Sequence, residues 1–203
     1  MAYLRELFGP SQNEIWAQLS QEIGAEHQGD FFTKSKVTLS HRQWQITLDT
    51  YTVHSGQTFT VYTRMRAPYV NQNGFRFTIY RADIFSWLGK LTGVQDVEIG
   101  DAFFDKDFVV QSSAEDIIRL LLTNANIRQR IERQPDIHFQ VKDDEGWFGE
   151  TFPEGVDELY FQAYGLITDK QRLKELFELF SLVLDELCRL GSAYQGDPGV
   201  KLK

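Results

Sequence analysis

Cysteine is almost missing from this 203-residue sequence: Cys188 stands alone, so no internal disulfide can form. The fold must hold by burial, and the reading that follows is a reducing, cytoplasmic setting. Long apolar runs are also missing. No stretch approaches the roughly 20 residues that cross a bilayer as a helix. The opening segment MAYLRELFGP has a charge pair and no apolar centre, and is not expected to act as a signal peptide. Positive charge is short, with 21 Lys and Arg against 29 Asp and Glu and a net charge of −8. Nucleic acid is therefore not an expected partner, because phosphate binding needs a basic footprint. Neither a GxSxG elbow nor a glycine-rich phosphate loop ending in Gly-Lys-Ser/Thr occurs. No catalytic set, metal site or cofactor site is predicted.

Aromatic residues are plentiful, with 16 Phe among them, so a core can be built without staples. The length fits one domain over 1–191, with a possible seam at 93–100 and a flexible tail over 192–203. Charge is unevenly spread. From Lys34 to Lys90 there are eight basic and two acidic residues; from Val94 to Tyr160 there are six basic and sixteen acidic. The two halves can attract each other, or the basic one can be kept for an anionic partner.

Ser11 and Glu14 have the spacing of a capping box, and Ile15, Trp16, Leu19 and Ile23 follow at helical spacing up to Gly24. Trp44, Ile46 and Leu48 alternate with Gln45, Thr47 and Asp49, as a half-buried strand does. Phe59, Val61, Thr63 and Met65 face one way, with Tyr62, Arg64 and Arg66 opposite. The turn Asn71-Gln72-Asn73-Gly74 is the strongest hairpin signal and predicts that this strand pairs with Phe75–Tyr80. Asp83 is expected to cap a short helix. Phe108–Val110 reads as a buried strand, followed by a helix with Ser113 and Asp116 as a capping box. Ile137, Phe139 and Val141 alternate, as do Leu159, Phe161 and Ala163. Asp169 is expected to cap the longest helix, whose stripe runs from Leu173 to Leu190 and ends at Gly191.

Strands and helices are partly segregated. The predicted class is α+β: a curved, mostly antiparallel sheet with helices packed on one face and a long C-terminal helix, helix-grip-like in its second half. The run FDKDFVVQSS, the leucine-rich helix after it, and the strand pair before the long helix together resemble a group of uncharacterised bacterial domains. The resemblance covers about residues 100–190. It implies a bacterial protein and carries no catalytic residues onto this chain.

Several clusters have more than one reading. Asp101, Asp105 and Asp107, with Asp96 and Glu98, are oxygen ligands for a hard cation or a solvated loop; the spacing is not that of an EF-hand, and the second reading is preferred. His27, His41, His54 and His138 have no metal-pair spacing and read as surface histidines. Cys188, on the last helix, reads as an inert small hydrophobe. The candidate binding surface is basic and aromatic: Arg64, Arg66 and Arg76 on one wetter strand face, with Tyr80 on that face and Tyr69 in a loop beside it. Arginine forks fit carboxylates or phosphates, and tyrosine stacks on either arginine or ligand. Trp147, in the segment GWFGETFPEG, is the second candidate. The predicted function is a soluble, cytoplasmic protein that binds a protein partner or itself. The alternative is a small-ligand protein or enzyme with a pocket between the sheet and the long helix.

Overall fold

The computed structural model describes residues 10–29, 34–82, 95–143, 152–200 and 202. The short helix expected after Asp83 lies outside them, as do Trp147 and Phe148. The helices are α1 (Gln12–Ile23), α2 (Ala102–Asp107), α3 (Glu115–Thr123), α4 (Ala125–Glu132) and α5 (Lys170–Arg189). The strands are β1 (Glu26–Gln28), β2 (Lys36–His41), β3 (Trp44–Ser55), β4 (Thr58–Val70), β5 (Phe77–Arg81), β6 (Gln95–Asp96), β7 (Phe108–Ser112), β8 (His138–Lys142) and β9 (Val156–Tyr164). They form one open, curved sheet in the order β1-β2-β3-β4-β9-β8-β5-β7-β6, and every ladder is antiparallel. The fold is α+β, with helices on one face and the long C-terminal helix among them. Strands from both sides of 93–100 share this sheet.

Alternation divides the sheet into two faces. Ile46, Leu48, Met65, Ala67, Phe77, Ile79, Phe139, Val141, Leu159 and Phe161 are all buried on one of them. Helix α5 lies on this side, its Phe180 ring 5.5 Å from that of Phe139. All of its inward stripe, from Leu173 through Phe177 and Phe180 to Leu187, is buried. Helix α1 joins the layer through Trp16, whose indole N–H donates to the Ile167 carbonyl at 3.2 Å. Its capping box forms as the sequence predicts: the Ser11 hydroxyl accepts from Glu14 N–H and the Glu14 carboxylate from Ser11 N–H. Asp169 caps α5 by accepting from the N–H groups of Gln171 and Arg172.

The structure overturns the hairpin expected across Asn71–Gly74. Strands β9 and β8 stand between β4 and β5. The β4–β9 ladder runs from Thr63↔Ala163 to Val70↔Val156, and this long-range pairing outweighs the local turn signal. The turn is held to β9 instead: Asn71 N–H donates to the Gly155 carbonyl, and its side-chain amide to Asp157 at 2.5 Å. Pro68 is tolerated inside β4 for a related reason. The Val70 carbonyl accepts from Tyr194 N–H and the Val61 carbonyl from Gly165 N–H, on opposite edges of the strand. Even-numbered β4 residues therefore point toward β3. The β3 ladder ends at Thr47↔Arg66, so the missing Pro68 N–H faces no β3 partner.

Two smaller expectations also change. Ser113 makes no capping box; α3 starts after Ala114 without a side-chain cap. The Ser113 hydroxyl accepts from Arg76 N–H, joining the ends of β5 and β7. The tail is docked at its start: Ser192 and Ala193 are buried, and Asn73 donates to the Ser192 hydroxyl.

Candidate functional site

The face opposite the helices carries a closed polar network. Register places Asp49 opposite Arg64 and Tyr51 opposite Tyr62, then Arg64 opposite Gln162 and Arg66 opposite Tyr160, then Gln162 opposite His138 and Glu158 opposite Lys142. The Arg64 fork donates to both oxygens of Asp49, at 2.5 and 3.1 Å. Arg66 donates to the same carboxylate at 2.8 Å. Arg64 lies over the Tyr51 ring, 5.2 Å from its centroid. The Tyr51 and Tyr160 hydroxyls both donate to the Gln162 carbonyl oxygen, at 2.6 and 2.9 Å. The Gln162 amide nitrogen then faces His138 Nδ1 at 3.1 Å, which fixes the neutral Nε2–H tautomer. Lys142 sits 3.8 Å above the Tyr160 ring and 3.2 Å from Glu158.

The network is dry at its centre. Arg66 is 1% exposed and Glu158 is fully buried. Burial pushes the Glu158 carboxyl up to about 7, against the pull of Lys142 and Arg66. Burial, helped by Lys142, pushes His138 down to about 4. Burial also raises the Tyr160 phenol. The two main shifts oppose each other in a stability profile. A carboxyl raised from 4.5 to about 7 destabilises the fold as pH climbs through that window. A histidine lowered from 6.5 to about 4 contributes stability that is full above 6.5 and is lost as pH falls toward 4. Each amounts to about 3 kcal/mol, so their sum is nearly flat where the windows overlap. In Glu158→Gln, chemical denaturation should reveal the histidine slope, with stability falling on acidification. A profile as flat as the native one would refute the assignment.

The predicted site residues do not gather on one wet face. Arg64 and Arg66 share the network but are held by Asp49, their own neighbour strand, and not by Asp101 or Asp105. Arg66 is buried, not on the wetter side. Arg76 belongs to a second cluster, pairing with Asp143 at 2.9 Å and Asp157 at 3.3 Å. Tyr69 is not in a loop: it is buried in β4, opposite Asp157, and burial raises its phenol well above the usual range. Tyr80 is buried in β5. Trp147 lies outside the described residues, while Phe152 of the same segment is buried. His138 is part of the network and not a free surface histidine. Asp49, Glu158, Lys142 and Gln162 were not singled out in the sequence; alternation gives their side of each strand but not which strands are neighbours.

The acidic segment expected as a loop contains strand β6 and helix α2, and its carboxylates hold them in place. Asp101 caps α2, and Asp105 accepts from the N–H groups of Ile99 and Gly100 at 2.9 Å each. Among the described residues, no group of three or more His, Cys, Asp or Glu is placed to hold a metal.

Two further surfaces remain. A groove of about 500 Å³ runs between α1, β2 and α5, with Ile23, Leu39, Phe177 and Leu182 as its apolar lining. Its rim charges are paired: Glu22 with Lys170 and Lys174, Arg130 with Glu178, and His41 and Arg42 with Asp185. The second surface is a projecting ribbon. Beyond Leu48 and before Thr63, β3 and β4 continue, among the described residues, as a two-stranded arm. Phe59 at its tip is 71% exposed and Val53 is 45% exposed, while Tyr164 and Leu166 at its base are 74% and 41% exposed. Tyr62 stacks on Tyr51 and meets Tyr164 edge-on.

No known family profile and no curated protein sequence matches the chain. Among solved structures it is similar to the crystal structure of the mycobacterial trehalose monomycolate transport factor A, TtfA. The TM-score is 0.50 at 8% identity, over 87% of this chain and 94% of that one. At that identity the likeness shows the fold. Among the described residues, no helix is long and apolar enough to cross a membrane.

Proposed function

We propose that this is a soluble, cytoplasmic bacterial interaction protein that binds a protein partner or a second copy of itself. The contact surface is the projecting ribbon and its base. The observation that carries this reading is the exposure of Phe59, Val53, Tyr164 and Leu166 around one arm. Exposed aromatic groups of this kind mark contact sites. The polar network supports it, because its arginines are already occupied by Asp49 and offer no open catalytic set. The occurrence of the fold in a transport factor also supports a binding role. A second reading rests on the groove beside α5, whose apolar lining suits a small hydrophobic molecule.

The test compares the native chain with Phe59→Ser and Tyr164→Ser by sedimentation velocity and by co-purification from the source cells. The expected result is an association that the variants weaken by about 30-fold, the scale of an interface hot spot. Equal association in variants and native chain would sink the ribbon as contact surface.

A further inference from the structure

The backbone of the arm identifies its partner more narrowly. The β2 ladder leaves β3 at Leu48, so among the described residues the outer edge of Asp49–Ser55 carries no strand. The direction of the backbone groups on that edge follows from β4. Even-numbered β4 residues point toward β3, and they pair with odd-numbered β3 residues. Thr50, Thr52 and His54 therefore turn their N–H and C=O groups outward.

Exposed edges are ordinarily blunted by lysine, proline, a bulge or brevity. The terminal strands of this sheet are blunted in that way: β1 has three residues and β6 has two, each with an acidic side chain. The arm has none of these devices. From Thr50 to Thr63 there is no Asp, Glu, Lys, Arg or Pro. The register runs one-to-one from Thr47↔Arg66 to Ser55↔Thr58 without a bulge. Apart from His54, Ser55, Gly56 and Gln57 at its tip, its residues are threonine, tyrosine, valine and phenylalanine, which suit a pleated surface.

We propose that a second copy of this chain pairs on this edge, β3 to β3 and antiparallel, about a twofold axis at Thr52. The proposal rests on the interaction reading above and names its partner. Self-pairing places every residue opposite a fixed mate: Thr52 faces the partner's Thr52, Thr50 faces the partner's His54, and Tyr51 faces the partner's Val53. A charge near the axis would meet its own copy, so a neutral segment is what such pairing requires. A charged peptide partner would find no complementary charge along this edge. Three outward residues on each copy make about six backbone hydrogen bonds. Tyr51 against the partner's Val53 is a favourable aromatic–β-branched pair, and it covers a side chain that is otherwise 45% exposed.

Sedimentation equilibrium on the full chain should give a dimer. Thr52→Pro removes an outward N–H without touching the β3–β4 ladder, and should give a monomer with an unchanged circular dichroism spectrum. Thr52→Lys keeps the N–H and sets two cations face to face, and should do the same if proline disturbs the arm. In a Cys188→Ser background, Thr52→Cys should oxidise to a linked dimer and Thr50→Cys should not, because only the residue on the axis meets its own copy. The separation of about 5.5 Å between paired Cα atoms suits a disulfide. A native chain that stays monomeric, or a dimer that survives both Thr52 variants, would overturn the pairing. A dimer that survives them but is lost in Phe59→Ser would overturn the pairing and leave the interaction reading standing.

Discussion

Phe180→Ala should lower the unfolding free energy by about 3–5 kcal/mol, read as a shift in denaturant midpoint at constant slope. The ring is fully buried in the middle of α5 and stands 5.5 Å from Phe139 of β8. Phe139 in turn meets Phe77 of β5 edge-on at 5.5 Å. Removing Phe180 therefore opens a cavity where the long helix meets the middle of the sheet, between side chains held by strand ladders that cannot close over it. The helix itself should survive, since Asp169 still caps it and alanine is a strong helix former. An unchanged midpoint would show that α5 is not docked through this ring.

Helices α1 and α5 were legible because their signals are local. Ser11 with Glu14, Gly24, Asp169 and the Leu173–Leu187 stripe each declare themselves within a few residues, and each is present. Most of the strands were legible too, and the β2–β3–β4 meander has two-residue turns; β1 and β6, of three and two residues, are too short to show alternation. The order of the sheet was not legible. Asn73-Gly74 is a good turn, with Gly74 at φ +65, but a turn does not fix what the following strand pairs with. Leu159 and Phe161 fit between Met65 and Val141 on the helix face, and that packing decides the neighbours. The same insertion hid the polar network. Alternation put Arg64, Arg66, Tyr160 and Gln162 on the non-helical side of their strands, but only the β4–β9 and β8–β9 ladders bring Glu158, Lys142 and His138 beside them. An arginine opposite a tyrosine in a central strand reads as wet from sequence and is buried in the fold.

Asp49→Ala should be among the most damaging changes on that face, lowering stability by about 3 kcal/mol. Its carboxylate takes three hydrogen bonds from two guanidinium groups, one of which is 1% exposed. Taking the anion away leaves both cations in place and burial unchanged, so the desolvation of Arg66 loses its main compensation. The loss should fall at the low end of the range for broken buried pairs, because Glu158 lies close enough for Arg66 to pull its carboxyl down. That pull gives the prediction a second readout: without Asp49, Glu158 should ionise at lower pH than in the native protein, so the destabilisation with rising pH should end at lower pH and be smaller. Pairing Asp49→Ala with Arg66→Met should recover much of the loss, since a buried ion pair is often replaced by apolar side chains at little cost. An Asp49→Ala protein with native stability and an unchanged pH profile would mean that the two arginines do not depend on this carboxylate, and would reopen the face as a site for an external anion.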